Sequence, residues 1–146
     1  METLQGRGLT ALRLILAFTL LSTTLHYAHN VLRAADYPQV EGISVGMAAT
    51  LVVVAYVLLT VFGVLGYRDY LRGRYWRALA FLMVYSLSGL ASLGHFLVAV
   101  PQIPAFWFAT IYTDTASALV LWAFVTWAAT KLNREPALRD QLSTQH

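Results

Sequence analysis

The sequence predicts an all-α integral membrane protein: a four-helix antiparallel bundle that crosses up-down-up-down, with both termini on the inner side. Three observations predict it. Hydrophobic residues make up 58% of the 146-residue chain and charged residues 12%, well short of the ~25% that covers a typical soluble domain. Four apolar runs are each long enough for a hydrocarbon core of ~30 Å, which takes ~20 residues of helix. The basic residues fall almost entirely on one side of those runs.

The first span is expected at about 14–32, between Arg13 and Arg33, with no Asp, Glu, Lys or Arg inside it. It is read as a retained helix and not a cleaved leader, because no small-residue cleavage pattern follows the apolar stretch and the helical pattern continues to Asn30. The second span is expected at about 45–67. A compact basic link, YRDYLRGRYWR, joins it to the third, at about 78–100. Pro101 and Pro104 then bracket a short turn where helix must break, and the fourth span follows at about 106–130. Residues 1–132 thus form the transmembrane domain, and 133–146 are expected to be a loosely ordered polar cytoplasmic tail.

Orientation follows from Lys and Arg in short loops, which stay inside. With the N-terminus inside, the inner side carries Arg7, Arg13, Arg68, Arg72, Arg74, Arg77, Lys131, Arg134 and Arg139, and the outer side Arg33 alone. This pattern points to the cell (inner) membrane with cytoplasmic termini. It also reads the basic residues as topology signals and lipid-headgroup contacts, with no nucleic-acid partner. The chain has no cysteine, so thiolate chemistry and disulfides are excluded.

The costly residues are concentrated. The stretch LHYAHN, 25–30, places His26 and His29 three residues apart in an apolar run. Together with Thr19, Ser22, Thr23, Asn30 and Arg33 they form a polar stripe at helical spacing. Ser88, Ser92 and His95 form a second stripe on the third span, and Thr110, Asp114 and Ser117 a third on the fourth. At 1.5 Å per residue, His26, His29, His95 and Asp114 lie roughly 5–12 Å below the outer edge. A polar stripe in a membrane helix faces the bundle interior, since lipid offers it no partner. The second span has only Thr50, Tyr56 and Thr60. Tyr27 is expected to face away, Tyr37 to sit in the interfacial aromatic belt, and the Ser and Thr residues to act as helix glue.

Several chemistries fit this pattern. Imidazole suits zinc and other divalent transition metals, so His26, His29, His95 and Asp114 form a candidate metal shell for metal handling or sensing, with Asp114 as fourth ligand or orienting acceptor. A small membrane enzyme acting on a lipid or isoprenoid-like substrate is the alternative. Its catalytic candidates are His95 and Asp114, either on a zinc-bound water or as a metal-free acid–base pair. A third reading ligates haem between His26 and His95. The donor set is similar in ligand type to the zinc site of the seven-helix ceramidase and adiponectin-receptor hydrolases. That likeness stops at donor chemistry, because this chain has four spans and its HxxH pair lies on the first. Partners expected are membrane lipids, a lipid-soluble substrate and a second copy of the chain. A structural polar core, each histidine serving only as a hydrogen-bonded packing residue, is the plain alternative to them all.

Overall fold

The computed structural model describes residues 4–143, with side chains described through 134. The chain is all-helical there. A π-helical turn, Leu4–Gly8, leads into α1 (Leu9–Leu32). A 3-10 turn, Ala34–Asp36, follows. Then come α2 (Val45–Leu71), α3 (Tyr75–Ala91), a second 3-10 turn (Ser92–Gly94), the short α4 (His95–Val98) and α5 (Ala105–Ser143). Four stretches are long and apolar enough to cross a membrane: Leu4–Leu32, Val45–Leu71, Tyr75–Val98 and Ala105–Arg134. The first, second and fourth helices run several residues past the expected span ends. α5 continues into the expected tail, whose side chains from 135 onward lie outside the described residues, as do residues 144–146 altogether.

Each long helix has a local cause. Ser44 caps α2, its hydroxyl accepting from Met47 N at 3.2 Å, which satisfies one of the free N–H groups of a first turn. Gly73 takes φ +71°, the left-handed conformation that stops α2 and lets α3 start two residues later. Asp69 fastens that turn: its carboxylate takes both Nε (2.5 Å) and Nη2 (2.9 Å) of Arg77. Pro101 and Pro104 fall between α4 and α5 as expected.

α1, α2, α3 and α5 pack as a ring in which α1 touches α2 and α5, and α3 touches α2 and α5. Lipid tails are as apolar as leucine, so this packing depends on close fit and hydrogen bonds more than on escape from water. Small residues supply the fit. A Cβ on Gly66 would stand 2.9 Å from Leu82, and one on Gly89 would run into the backbone carbonyl of Asp114. At the end of the bundle that carries the basic link, Leu12, Leu79, Leu82, Leu121, Phe124 and Ala128 form an apolar core. At the other end the core is polar. α2 contributes least to either, with only 6% of its most apolar window buried against 50% for α5.

Candidate functional site

The polar stripe of α1 is buried as its spacing predicts. Thr19, Ser22, Thr23, His26, His29 and Asn30 are all buried, and so are Ser88, Ser92, Thr110, Asp114 and Ser117 on the facing helices. Three stripes therefore meet in one polar interior. What the stripes do inside it differs from residue to residue.

Asp114 is fully buried. Thr23 Oγ1 donates to its Oδ1 at 2.5 Å and Ser92 Oγ to its Oδ2 at 2.7 Å. Each carboxyl oxygen thus has one hydroxyl partner, and each partner comes from a different helical segment. Asp114 is a knot between α1, the Ser92–Gly94 turn and α5. No histidine is among its partners. Ser92, expected as helix glue, is one of the two groups that hold it.

His26 and His95 belong together. Their ring centroids are 5.5 Å apart, edge to face, and both line one crevice of about 240 Å³ between α1, α2 and the α3–α4 segment. Asn30, Ser92 and Tyr27 line it too, and Leu51, Val52 and Ala55 of α2 form its apolar wall. The hydrogen bonds assign the tautomers. Thr110 Oγ1 gives its single proton to the carbonyl of Trp107 at 2.6 Å, so toward His26 Nδ1, at 3.3 Å, it can only accept. The neutral His26 ring therefore carries its proton on Nδ1 and a lone pair on Nε2. Asn30 Nδ2 is a donor, so the His95 Nε2 it meets at 3.0 Å accepts, and the neutral His95 ring keeps its proton on Nδ1. One ring offers a base and its neighbour a donor.

His29 goes elsewhere. Its ring stacks on Trp107 at 4.3 Å, its Nδ1 bonds Tyr37 Oη at 2.9 Å, and it lines a separate crevice of about 490 Å³ with Arg33, Asp36 and Pro104. The helix explains the parting. Positions 26 and 29 differ by ~60° around the axis, and 26 and 30 by ~40° in the opposite sense. His29 therefore turns to α5 and Asn30 to His95 of α4, with His26 between them. Among the described residues, no group of three or more His, Asp or Glu side chains is arranged to hold a metal ion. The expected quartet of His26, His29, His95 and Asp114 is brought into one polar interior but not onto one point. Ligation of haem through His95 Nε2 meets Asn30 at that nitrogen.

Two residues differ from their sequence reading. Tyr27 does not face away: it is buried, and its hydroxyl donates to the Ser88 carbonyl at 3.0 Å. Tyr37 is not a belt residue. It is buried at 4% exposure, and its ring lies 4.7 Å from His95, 5.8 Å from His29 and 6.2 Å from His26. The Ala34–Asp36 turn folds it back over the mouth of the bundle away from the basic link, and Arg33 Nε pairs with Asp36 at 2.8 Å beside it. Burial raises the Tyr37 phenol to about 12, with the Asp36 carboxylate adding to the effect, so it stays a neutral hydroxyl at physiological pH. A four-residue backward step in a loop leaves no periodic trace in sequence. The one available signal was an aromatic directly before Pro38, which fixes the chain at a turn.

Compared with protein-family models, with curated proteins and with solved structures, the chain matches none.

Proposed function

We propose that the chain is a multi-pass protein of the inner membrane, antiparallel and with both termini cytoplasmic, that takes a lipid-soluble molecule with a polar group into the α1–α2–α3 crevice and moves a proton on it. The orientation rests on the Lys and Arg distribution. The antiparallel order is supported by the α1–α5 pairings: Ser22 meets Thr113 and His26 meets Thr110, rising on one helix as they fall on the other. The observation that carries the activity is the pair of imidazoles with opposite free functions in one crevice with an apolar wall. His26 Nε2 takes a proton from the substrate and becomes imidazolium. His95 Nδ1–H donates a hydrogen bond to the oxygen on which negative charge develops. Return of the proton from His26 at another position restores the site, which is general acid–base catalysis by one group. Asn30 and Thr110 hold the tautomers. The substrate class is a lipid or isoprenoid-like molecule, because the crevice lies within the span region and α2 contributes only aliphatic wall.

Labelling with a diazirine-bearing polyprenyl alcohol in membranes tests this. The label is expected on Leu51, Val52 or Ala55, and is expected to fall at least tenfold in Ala55→Trp, which fills the crevice. His26→Ala is expected to keep the label and lose turnover of the substrate so identified. Equal labelling of the parent and Ala55→Trp sinks the reading.

A second reading, metal handling, is favoured by one distance. Two imidazoles sharing a zinc ion, with Zn–N of ~2.0–2.1 Å, hold their centroids roughly 5 Å apart, close to the 5.5 Å found for His26 and His95. Zinc titration of the parent and His95→Ala separates the two readings. Stoichiometric binding lost in His95→Ala selects the metal.

A further inference from the structure

A second cavity, of about 280 Å³, lies toward the basic end of the bundle, between α1 and α2 with α3 behind it. It shares no lining residue with the His26–His95 crevice. Its side toward the surroundings runs along Leu20 and Val64, 43% and 60% exposed, so it opens sideways, where lipid would be. Its lining is apolar except at the Thr60 hydroxyl and at two further places. One is the interfacial end, where Arg13 Nε donates to Tyr67 Oη at 3.0 Å. Among the described residues the two Nη groups of Arg13 make no hydrogen bond and Arg13 meets no carboxylate. The other is the back wall, formed by Tyr85. That residue is 2% exposed, yet its hydroxyl has no hydrogen-bond partner among the described residues. Gly63 allows this placement, since a Cβ there would stand 3.1 Å from the Tyr85 ring.

We infer that this cavity is a binding site for an anionic glycerophospholipid of the leaflet at the basic end. The two polar points fit that one molecule. A guanidinium with free Nη groups takes a phosphodiester in the forked geometry that lysine lacks. The Tyr85 phenol, deeper in the cavity and without a hydrogen-bond partner among the described residues, supplies a donor for an acyl ester carbonyl. The apolar stretch from Arg13 to Leu20, ~10 Å along α1, takes the start of an acyl chain. A zwitterionic lipid meets the same cavity but brings its own cation to compete with Arg13, so the site discriminates by headgroup charge.

The test uses the full chain purified in detergent and titrated with dioctanoyl phosphatidylglycerol or dioctanoyl phosphatidylcholine, with bound lipid counted by native mass spectrometry. Phosphatidylglycerol is expected to bind more tightly. Arg13→Gln is expected to weaken it roughly tenfold, the loss of one charge-assisted contact, and to leave phosphatidylcholine unchanged. Arg13→Lys is expected to recover part of the loss. Ala17→Phe, which narrows the cavity from an exposed position, is expected to weaken both lipids and serves if Arg13→Gln does not fold. Arg68→Gln removes an exposed charge at the same end but outside the cavity and is expected to change nothing. Equal binding of both lipids by the parent overturns the assignment. So does an equal effect of Arg68→Gln and Arg13→Gln, or parental binding by Ala17→Phe.

Discussion

The two halves of this bundle hold together by different means. Toward the basic end, Leu12, Leu79, Leu82, Leu121 and Phe124 interlock around Gly66, and the hydrogen bonds between segments stand around that leucine core: Arg77 on Asp69, Arg13 on Tyr67 and Tyr70 on the Leu4 carbonyl. Toward the other end, the helices are tied by Thr23 and Ser92 on Asp114, by Ser22 on Thr113, and by Asn30 on His95. Thr19 marks the seam: it is fully buried, and its hydroxyl is without a partner. The leucine core of that half gains only contact, because removal from lipid to protein carries almost no hydrophobic term. The polar half gains directed bonds, each of which also fixes a side chain in one orientation. The difference teaches that the polar half is the specific one. It sets which helix faces which, and it is where chemistry can be placed.

The largest expected effect comes from the contact that joins both halves. Gly89→Leu sets a side chain against the Asp114 carbonyl and Ala118 Cβ, and neither is a flexible tip that can swing aside. α3 and α5 must separate, and the Thr23 and Ser92 bonds to Asp114 go with them. A loss of more than ~3 kcal/mol is expected, at the upper end for overpacking, read as failure to purify as a folded species or a collapse of the thermal midpoint in detergent. Near-parental stability would show that α3 and α5 are not held at this distance.

Asp114→Leu comes next. It strands the Thr23 and Ser92 hydroxyls, each at ~1–3 kcal/mol if nothing replaces the partner. Helical hydroxyls have a fallback in the carbonyl four residues back, as Thr24 and Thr50 already use. The net loss is therefore put at about 2 kcal/mol, with Asp114→Asn losing less because it keeps an acceptor. In the apolar half, Leu82→Ala is expected to cost about 1.5 kcal/mol, below the ~2–5 typical of water-soluble cores, because only the contact and cavity part remains. The order of these two values, measured by unfolding in mixed micelles, is the sharpest check on the contrast. A larger loss for Leu82→Ala than for Asp114→Leu would reverse it.

Much of the architecture was legible in the sequence because bilayer physics is strict. Long apolar runs nearly free of charge gave four span-length helices near the expected positions, and hydroxyls and imidazoles at i, i+3 and i+4 gave the buried stripes. The meeting of His26, His95 and Asp114 in one interior was legible on the same grounds. Their partners were not. Whether Asp114 meets an imidazole or a hydroxyl depends on helix rotation by tens of degrees, and His29 and Asn30 show that ~60° one way and ~40° the other lead to different neighbours. The break at Ser92–Gly94, which turns His95 out of the α3 register, has no proline to announce it. Tyr37 was out of reach for a further reason: its place depends on a loop that folds backward.

Tyr37 also gives the smallest and most selective prediction. Its hydroxyl bonds His29 Nδ1 and its ring lies 4.7 Å from His95, so it sits between the two histidines at the mouth away from the basic link. Tyr37→Phe keeps the ring and removes the bond. About 1 kcal/mol of stability is expected to be lost, the usual net value for one neutral hydrogen bond, with the His26–His95 crevice still covered. The pH dependence adds a second reading. The phenol is raised in the folded protein to about 12, above its ordinary value of ~10. Below pH ~10 both folded and unfolded forms keep the proton, and the stabilising contribution is complete. Between ~10 and ~12 the unfolded chain releases the proton first, so stability falls as pH rises through that window. Parent and Tyr37→Phe should therefore show the same tyrosinate absorbance near 295 nm up to about pH 11, and above it the parent should gain one tyrosinate more than the variant. An increment that appears near pH 10 instead would mean that Tyr37 stands in water, with that mouth open.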